Sequence, residues 1–190
     1  NLRAATNLLP GDIVLIDTVT YTNNVVIANI VNGVAGNPIV FQGSPDTRPW
    51  GGGTLFAPAG GYVFSIRGQH LNIADIRMMG GVNGLYLNAS SFGEYRRIYC
   101  ISNSSNGIRL EGASNSNAFK HCVAHAIDYA AFSSYFPSKG NYLEHSIMIA
   151  PKSVCVSAQS GSVSNIVNNI NIGNYGTGSD GYTPDAGFGN

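Results

Sequence analysis

The chain has 190 residues, of which 44% are hydrophobic and 11% are charged, whereas about 25% of the residues in a typical soluble domain are charged. Ten basic and ten acidic residues give a formal net charge of zero, which argues against a nucleic-acid partner and against a strongly basic groove for an acidic sugar polymer. No run approaches the roughly 18 consecutive apolar residues of a membrane helix, so no membrane span is predicted.

The first segment is predicted to be a short helix. The apolar residues of segment 2–9 recur at helix-like spacing and stop at Pro10-Gly11, a signal that ends a helix. We expect this helix to cap the structure that follows. Next come short runs rich in β-forming residues, each ended by Gly, Pro, Asn or Asp. These runs are residues 13–16, 25–27, 38–41, 62–66 and 71–73.

A repeat of 23 residues organises the rest of the chain. Successive apolar strands begin at a glycine or another small residue, at Gly84, Gly107, Ala130 and Ser153. A second series has steps of 22 to 25 residues and consists of Ile76, Ile101, Val123, Ile147 and Ile170. Sandwiches, barrels and propellers also have short, regularly spaced strands, but a coil that advances by one strand per turn requires a constant offset. The prediction is an all-β fold, a parallel β-helix over residues 1–173 with its N-terminal cap at 2–9.

Two pairs of equivalent residues predict contacts between coils. Asn83 and Asn106, each followed by glycine, fall at the same turn of successive coils. Asparagine tolerates a left-handed backbone and its amide can hydrogen-bond to its own copy one coil above, so the pair predicts an asparagine ladder. Cys100 and Cys122 are one repeat apart, on neighbouring strands that would lie about 4.8 Å apart. Either a disulfide between coils or a ladder of thiols agrees with that spacing.

Two motifs in the first third of the chain resemble a known group of proteins. Residues 8–17, with the sequence LLPGDIVLID, and residues 36–41, with the sequence GNPIVF, are similar to the opening of secreted right-handed parallel β-helix proteins of the pectate-lyase-like type. The likeness is to polysaccharide lyase family 6, which includes alginate lyases and chondroitinase-B-type enzymes, and it extends over roughly residues 2–80. It implies a right-handed parallel β-helix capped by the helix and the Pro-Gly-Asp turn.

The same resemblance implies a chemistry, the β-elimination of a uronate polysaccharide. One basic residue would abstract the proton next to the carboxylate, and a second cation would stabilise the resulting anion. Arg97 and Lys120, 23 residues apart, are the candidate catalytic residues. Calcium is expected only if the chain is such a lyase. The acidic residues nearby are scattered and do not form a calcium-type cluster, so no metal ligand and no other cofactor is predicted.

Two further columns carry candidate functions. Tyr86, Arg109 and Phe132 follow one another at 23-residue steps, and strand alternation predicts that they face outward. Such a column would stack on sugar rings or dock another protein. His121 and His145 are 24 residues apart and are predicted to stack at a corner of the coil, either as a polar ladder or as metal-binding or acid–base residues.

The glycine-rich segment 174–190 is predicted to cap the open end of the β-helix or to dock onto another subunit, with Tyr175, Tyr182 and Phe188 as its assembly residues. The leading hypothesis is a secreted, non-catalytic structural subunit that self-associates through the helix ends or this tail and contacts polysaccharide. The alternatives are a polysaccharide lyase or a fragment of one, and a phage tailspike or adhesin module that binds glycan. The composition, rich in Asn, Ser, Gly and Tyr, and a start at Asn1 favour an extracellular or cell-surface location.

Overall fold

The chain folds as a parallel β-helix. The computed structural model describes residues 7–27, 31–44, 54–56, 60–158 and 163–173. Strands pair with strands of the neighbouring coils, and every strand pair is parallel. This confirms the predicted all-β fold. The described ranges contain strands, turns and irregular backbone, and no helix in them has the length and apolar character needed to cross a membrane.

Each coil passes through three faces. The first face contains β1 (Ile13–Ile16), β4 (Ile39–Gly43), the first halves of β7 (Leu71–Met79) and β9 (Glu94–Asn103), β11 (Ala118–Lys120), β14 (Asn141–Glu144) and β17 (Val163–Val167). The second face contains β2 (Thr20–Tyr21), β5 (Thr54–Phe56), the second halves of β7 and β9, β12 (Val123–Ala126), β15 (Ile147–Ala150) and β18 (Ile170–Gly173). The third face contains β3 (Val25–Ile27), β6 (Tyr62–Gln69), β8 (Asn83–Ser91), β10 (Asn106–Glu111), β13 (Phe132–Ser134) and β16 (Val156–Ala158).

A single left-handed residue turns each coil from the first face to the second. At this corner five successive coils have a residue with φ between 47° and 59°: Asp75, Arg97, His121, His145 and Asn168. A positive φ is uncommon for residues other than glycine, and here it bends the strand within one residue. These five residues are called the corner column below.

The core is a stack of apolar side chains enclosed by the three faces. Phe41 and Phe64 meet edge to face with ring centroids 6.0 Å apart, and Tyr95 lies flat against Phe119 at 4.7 Å. Phe119 in turn contacts Phe132 at 5.2 Å. All five rings are completely buried, so each coil contributes aromatic or aliphatic surface that its neighbours remove from water.

The length of the coil varies, and this corrects one prediction. On the third face Ile108 pairs with Leu85, 23 residues earlier, but with Phe132, 24 residues later. A slip of one residue moves a side chain to the opposite side of a strand. The prediction that Phe132 faces outward with Tyr86 and Arg109 is therefore wrong: Phe132 is buried in the core, and Ser133 takes the outer position next to Arg109.

Ladders of polar side chains hold the coils together at their turns. Asn106 Nδ2 donates to Asn83 Oδ1 over 2.7 Å, and both side chains are buried, which confirms the predicted asparagine ladder. Neither asparagine has a positive φ, so the expected left-handed backbone is not the reason for the ladder. The three cysteines, Cys100, Cys122 and Cys155, are buried free thiols; the disulfide is not formed.

The predicted N-terminal cap falls mostly outside the described residues. Residues 2–6 lie there, and residues 7–9 form a turn and irregular backbone without a helix. The two motifs of the resemblance do touch each other, because Asn37 Nδ2 donates to Pro10 O at 3.0 Å. Gly11 has a φ of 94°, and a Cβ there would lie 2.6 Å from Asn37 Oδ1, so this turn requires glycine.

Candidate functional site

The two residues predicted to be catalytic do not occupy equivalent positions. Lys120 pairs in register with Arg96, whereas Arg97 belongs to the corner column. Each cation also has its own carboxylate partner. Arg97 donates from Nε and Nη2 to the two oxygens of Asp75, at 2.5 and 2.7 Å, and Lys120 Nζ lies 3.5 Å from Glu94 Oε1.

Asp75 makes the Arg97 interaction a structural one. The Asp75 side chain also accepts a hydrogen bond from Gln42 Nε2 at 2.6 Å, so one carboxylate links three successive coils. Burial raises the pKa of the Asp75 carboxyl, but the hydrogen bonds from Arg97 and Gln42 outweigh this effect and leave the pKa below its ordinary value. The Gln42–Asp75–Arg97 chain is called the corner latch below.

The histidines of the corner column stack as predicted. The rings of His121 and His145 are nearly parallel, with centroids 5.4 Å apart. Both ring nitrogens of His145 have neighbours, Glu144 Oε1 at 3.1 Å from Nδ1 and Asn168 Nδ2 at 3.2 Å from Nε2. With both nitrogens engaged, His145 has no lone pair directed at a metal ion, and the arrangement is that of a polar ladder.

The described carboxylates do not suit calcium. Calcium takes six to eight oxygen ligands, but Asp75, Glu94 and Glu111 each face a basic side chain. Across the described ranges no group of three or more His, Cys, Asp or Glu residues is placed to hold a metal ion.

A different group of side chains lies on the outer surface of the third face. Its outer column, read from the strand register, is Ser65, Tyr86, Arg109, Ser133 and Ser157. Tyr86 stacks on Tyr62 with ring centroids 4.0 Å apart and planes 8° from parallel. On the other side of the column, the guanidinium carbon of Arg109 lies 4.9 Å from the centre of the Tyr135 ring. Aromatic rings therefore flank an arginine across four neighbouring strands.

Glu111 joins the members of this group. Its carboxylate accepts hydrogen bonds from the Tyr86 hydroxyl and from Arg109, whose Nη2 is 2.8 Å and Nε 3.2 Å away. Asn88 Nδ2 donates to the same Tyr86 hydroxyl at 2.9 Å. We call these residues the third-face cluster, and its members are Tyr62, Tyr86, Asn88, Arg109, Glu111 and Tyr135.

The third-face cluster brings a proton donor, a proton acceptor and a cation together. Burial raises the pKa of Tyr86, the hydrogen bond to Glu111 raises it further, and the hydrogen bond from Asn88 opposes them only in part. Tyr86 therefore stays protonated at neutral pH, while the carboxylate of Glu111 accepts and the guanidinium of Arg109 supplies positive charge.

Sequence reasoning found part of this cluster. Tyr86 and Arg109 are neighbours on adjacent strands, as expected, although Tyr86 is only 6% exposed. Asn88 and Glu111 were missed, and a signal for them exists: each lies two residues after a member of the outer column, and residues two apart in a strand share a face. The predicted assembly residues Tyr175, Tyr182 and Phe188 lie outside the described residues.

Comparison with known proteins gives a likeness of fold. No protein-family model matches the sequence, and a search of curated protein sequences found no match. The structure is similar to the crystal structure of an alginate lyase from Paenibacillus sp. str. FPU-7, with a TM-score of 0.63 and 18% sequence identity over 90% of this chain. The chain corresponds to 63% of the length of that enzyme. The two proteins share the parallel β-helix fold, the fold that the resemblance in the first third of the sequence implied.

Proposed function

We propose that the protein binds an acidic polysaccharide at the third-face cluster and cleaves it by β-elimination. The observation that carries the proposal is the hydrogen-bonded group of Tyr86, Glu111 and Arg109 on the outer surface of a β-helix. The likeness in fold to an alginate lyase supports it. An outward aromatic pair beside an arginine also suits a sugar polymer, because sugar rings stack on aromatic faces and carboxylates pair with guanidinium groups.

Substrate binding would rearrange the ion pair. Arg109 forms a salt bridge with Glu111 in the ligand-free protein. A uronate carboxylate that binds Arg109 takes the place of Glu111, which neutralises the substrate acid and frees the Glu111 carboxylate. Neutralising that acid makes the neighbouring C–H proton easier to remove, because the charge that develops on the carboxyl group is stabilised.

The elimination then uses the other two side chains. Glu111 takes the proton from the carbon next to the uronate carboxylate, and the electrons of that C–H bond form a double bond to the adjacent carbon. The bond from this carbon to the glycosidic oxygen breaks, and Tyr86 gives its hydroxyl proton to the leaving oxygen. The proton on Glu111 returns to Tyr86 along their hydrogen bond, so both groups are restored after each turnover.

Secretion and self-assembly stand beside this proposal as predictions. An extracellular location agrees with a polysaccharide substrate. A non-catalytic structural subunit remains the alternative from the sequence, but it depends on segment 174–190, which lies outside the described residues. A catalytic role for Arg97 and Lys120 is also a prediction, and it would first require both cations to leave their carboxylate partners.

An elimination assay tests the proposal. The protein is incubated with alginate, pectate and chondroitin sulfate, and the ultraviolet absorbance of the new double bond is followed. We expect product from at least one polymer, and we expect Tyr86→Phe to lower turnover about 100-fold or more because the proton donor is lost. Arg96→Ala, which removes an exposed arginine on the first face, is the control and should retain turnover.

Two results would contradict this proposal. One is the absence of product from all three polymers. The other is product formation that Tyr86→Phe leaves unchanged and Lys120→Ala abolishes, which would move the reaction to the first face.

A further inference from the structure

Ser133 is an outward-facing serine that is completely enclosed. It pairs in register with Arg109 on the outer side of the third face, and its neighbour Phe132 points into the core, so strand alternation directs Ser133 outward. Its exposure is nevertheless 0%. Among the described residues, Ser133 Oγ has no hydrogen-bond partner.

An unpaired, buried hydroxyl is unfavourable. Most buried polar side-chain atoms in proteins have a partner, and the exceptions call for an explanation such as a ligand or a catalytic role. An alanine would fill almost the same space without a group that loses its hydrogen bonds to water. The serine therefore stabilises something other than the ligand-free fold.

Tyr135 is placed to cover Ser133. It follows two residues later, on the same side of the chain, and its ring lies over the guanidinium of Arg109, the residue paired with Ser133. The Tyr135 hydroxyl is also hydrogen-bonded to the side chain of Tyr129. Arg109 and Tyr135 thus form a layer across the outer side of the strand at this point.

We propose that Ser133 is the floor of a second sugar subsite next to Arg109, and that Tyr135 covers this subsite in the ligand-free protein. When a polysaccharide binds, the Tyr135 ring moves from above Arg109 and a sugar hydroxyl forms the hydrogen bond that Ser133 Oγ lacks. This inference rests on the proposed function, because the same Arg109 holds the neighbouring sugar acid. It makes Ser133 a residue that senses the hydroxyl groups of the substrate, while Arg109 recognises its carboxylate.

Ser133→Ala separates this role from a purely structural one. We expect the variant to melt at a higher temperature than the wild type without ligand, because an unpaired buried hydroxyl is removed. We expect it to bind alginate, pectate or chondroitin sulfate, whichever the wild type binds, about three- to tenfold more weakly, the range of one lost neutral hydrogen bond. Ser116→Ala, at an exposed serine, is the matched control and should change neither quantity.

A second pair of variants tests the cover. In Ser133→Cys the new thiol should react slowly with iodoacetamide, and adding Tyr135→Ala should increase its labelling rate at least tenfold. The native cysteines are all buried, so their labelling gives a low background.

The outcomes distinguish the subsite from the proposed function. If the wild type binds none of the three polymers, both proposals fail. If the wild type binds and Ser133→Ala binds equally well, the subsite is overturned while the proposed function stands. If Tyr135→Ala leaves the labelling rate unchanged, Tyr135 does not cover Ser133 and the proposed arrangement is wrong.

Discussion

Charged residues are scarce in this chain, and the described ones are largely committed to one another. Arg97 is held by Asp75, Lys120 and Arg96 face Glu94, and Lys152 lies 2.8 Å from Asp128. A pair of cations one repeat apart is therefore weak support for catalysis in such a chain. What distinguishes the Arg109–Glu111 pair is the third partner, Tyr86, because the added hydroxyl provides a proton that can be transferred.

The corner latch predicts how stability depends on pH. The pKa of Asp75 is lowered from 3.8 in the folded protein, so the unfolded state binds more protons as the pH falls. The stabilisation by Asp75 is then fully present above the unfolded pKa and is lost as the pH falls through the folded value. We expect the free energy of unfolding of the wild type to fall more steeply than that of Asp75→Asn between about pH 5 and about pH 3. Urea titrations across this range measure it, and parallel pH profiles would show that the latch contributes no pH-dependent stability.

At the same scale, sequence reasoning located residues better than their partners. Tyr86 and Arg109 were identified from the period of the repeat, which sets the neighbour on the next strand. Arg97 was assigned a catalytic role because the sequence does not show that Asp75 occupies the same corner one coil earlier. Ser133 was missed, since its burial depends on Tyr135 and Arg109 together.

At the scale of elements, the repeat predicts the strands but not their register. Strands of the third face are offset by 23 or 24 residues, and Ile73 of the first face pairs with Tyr95 after only 22. The corners absorb these differences, and their length is set by local turn geometry, which the average period does not contain. A single added residue is enough to exchange Phe132 for Ser133 on the outer surface.

The glycine at the head of β10 explains why small residues begin the strands of the third face. A Cβ on Gly107 would lie 2.7 Å from Ala124 Cβ and 2.7 Å from Ala131 O, so the backbone passes too close to its neighbours for a side chain. We expect Gly107→Ala to lower the free energy of unfolding by about 1–3 kcal/mol. Ser104→Ala, at an exposed position, should change it by less than about 0.5 kcal/mol. Equal denaturation midpoints for both variants would contradict the close approach.

At the scale of the whole molecule, the fold assigns different tasks to different surfaces. The corner between the first and second faces consists of residues that fasten one coil to the next, by the corner latch and the stacked histidines. The third face carries the cluster that combines stacked rings with a hydrogen-bonded acid, cation and hydroxyl. The period of the repeat was sufficient to predict the architecture, because every coil obeys the same pairing rule. It was not sufficient to identify the functional face, because all three faces follow that rule equally.

The most direct test of the account is where polysaccharide binds. Equilibrium titrations with alginate, pectate and chondroitin sulfate compare the wild type with Arg109→Ala and Arg96→Ala, which remove one arginine each from the third and the first face. The account predicts that Arg109→Ala weakens binding about tenfold or more, since a charge-assisted contact is lost, while Arg96→Ala binds as the wild type does. Unchanged binding by Arg109→Ala, with loss of binding by Arg96→Ala, would contradict the assignment of the site to the third face.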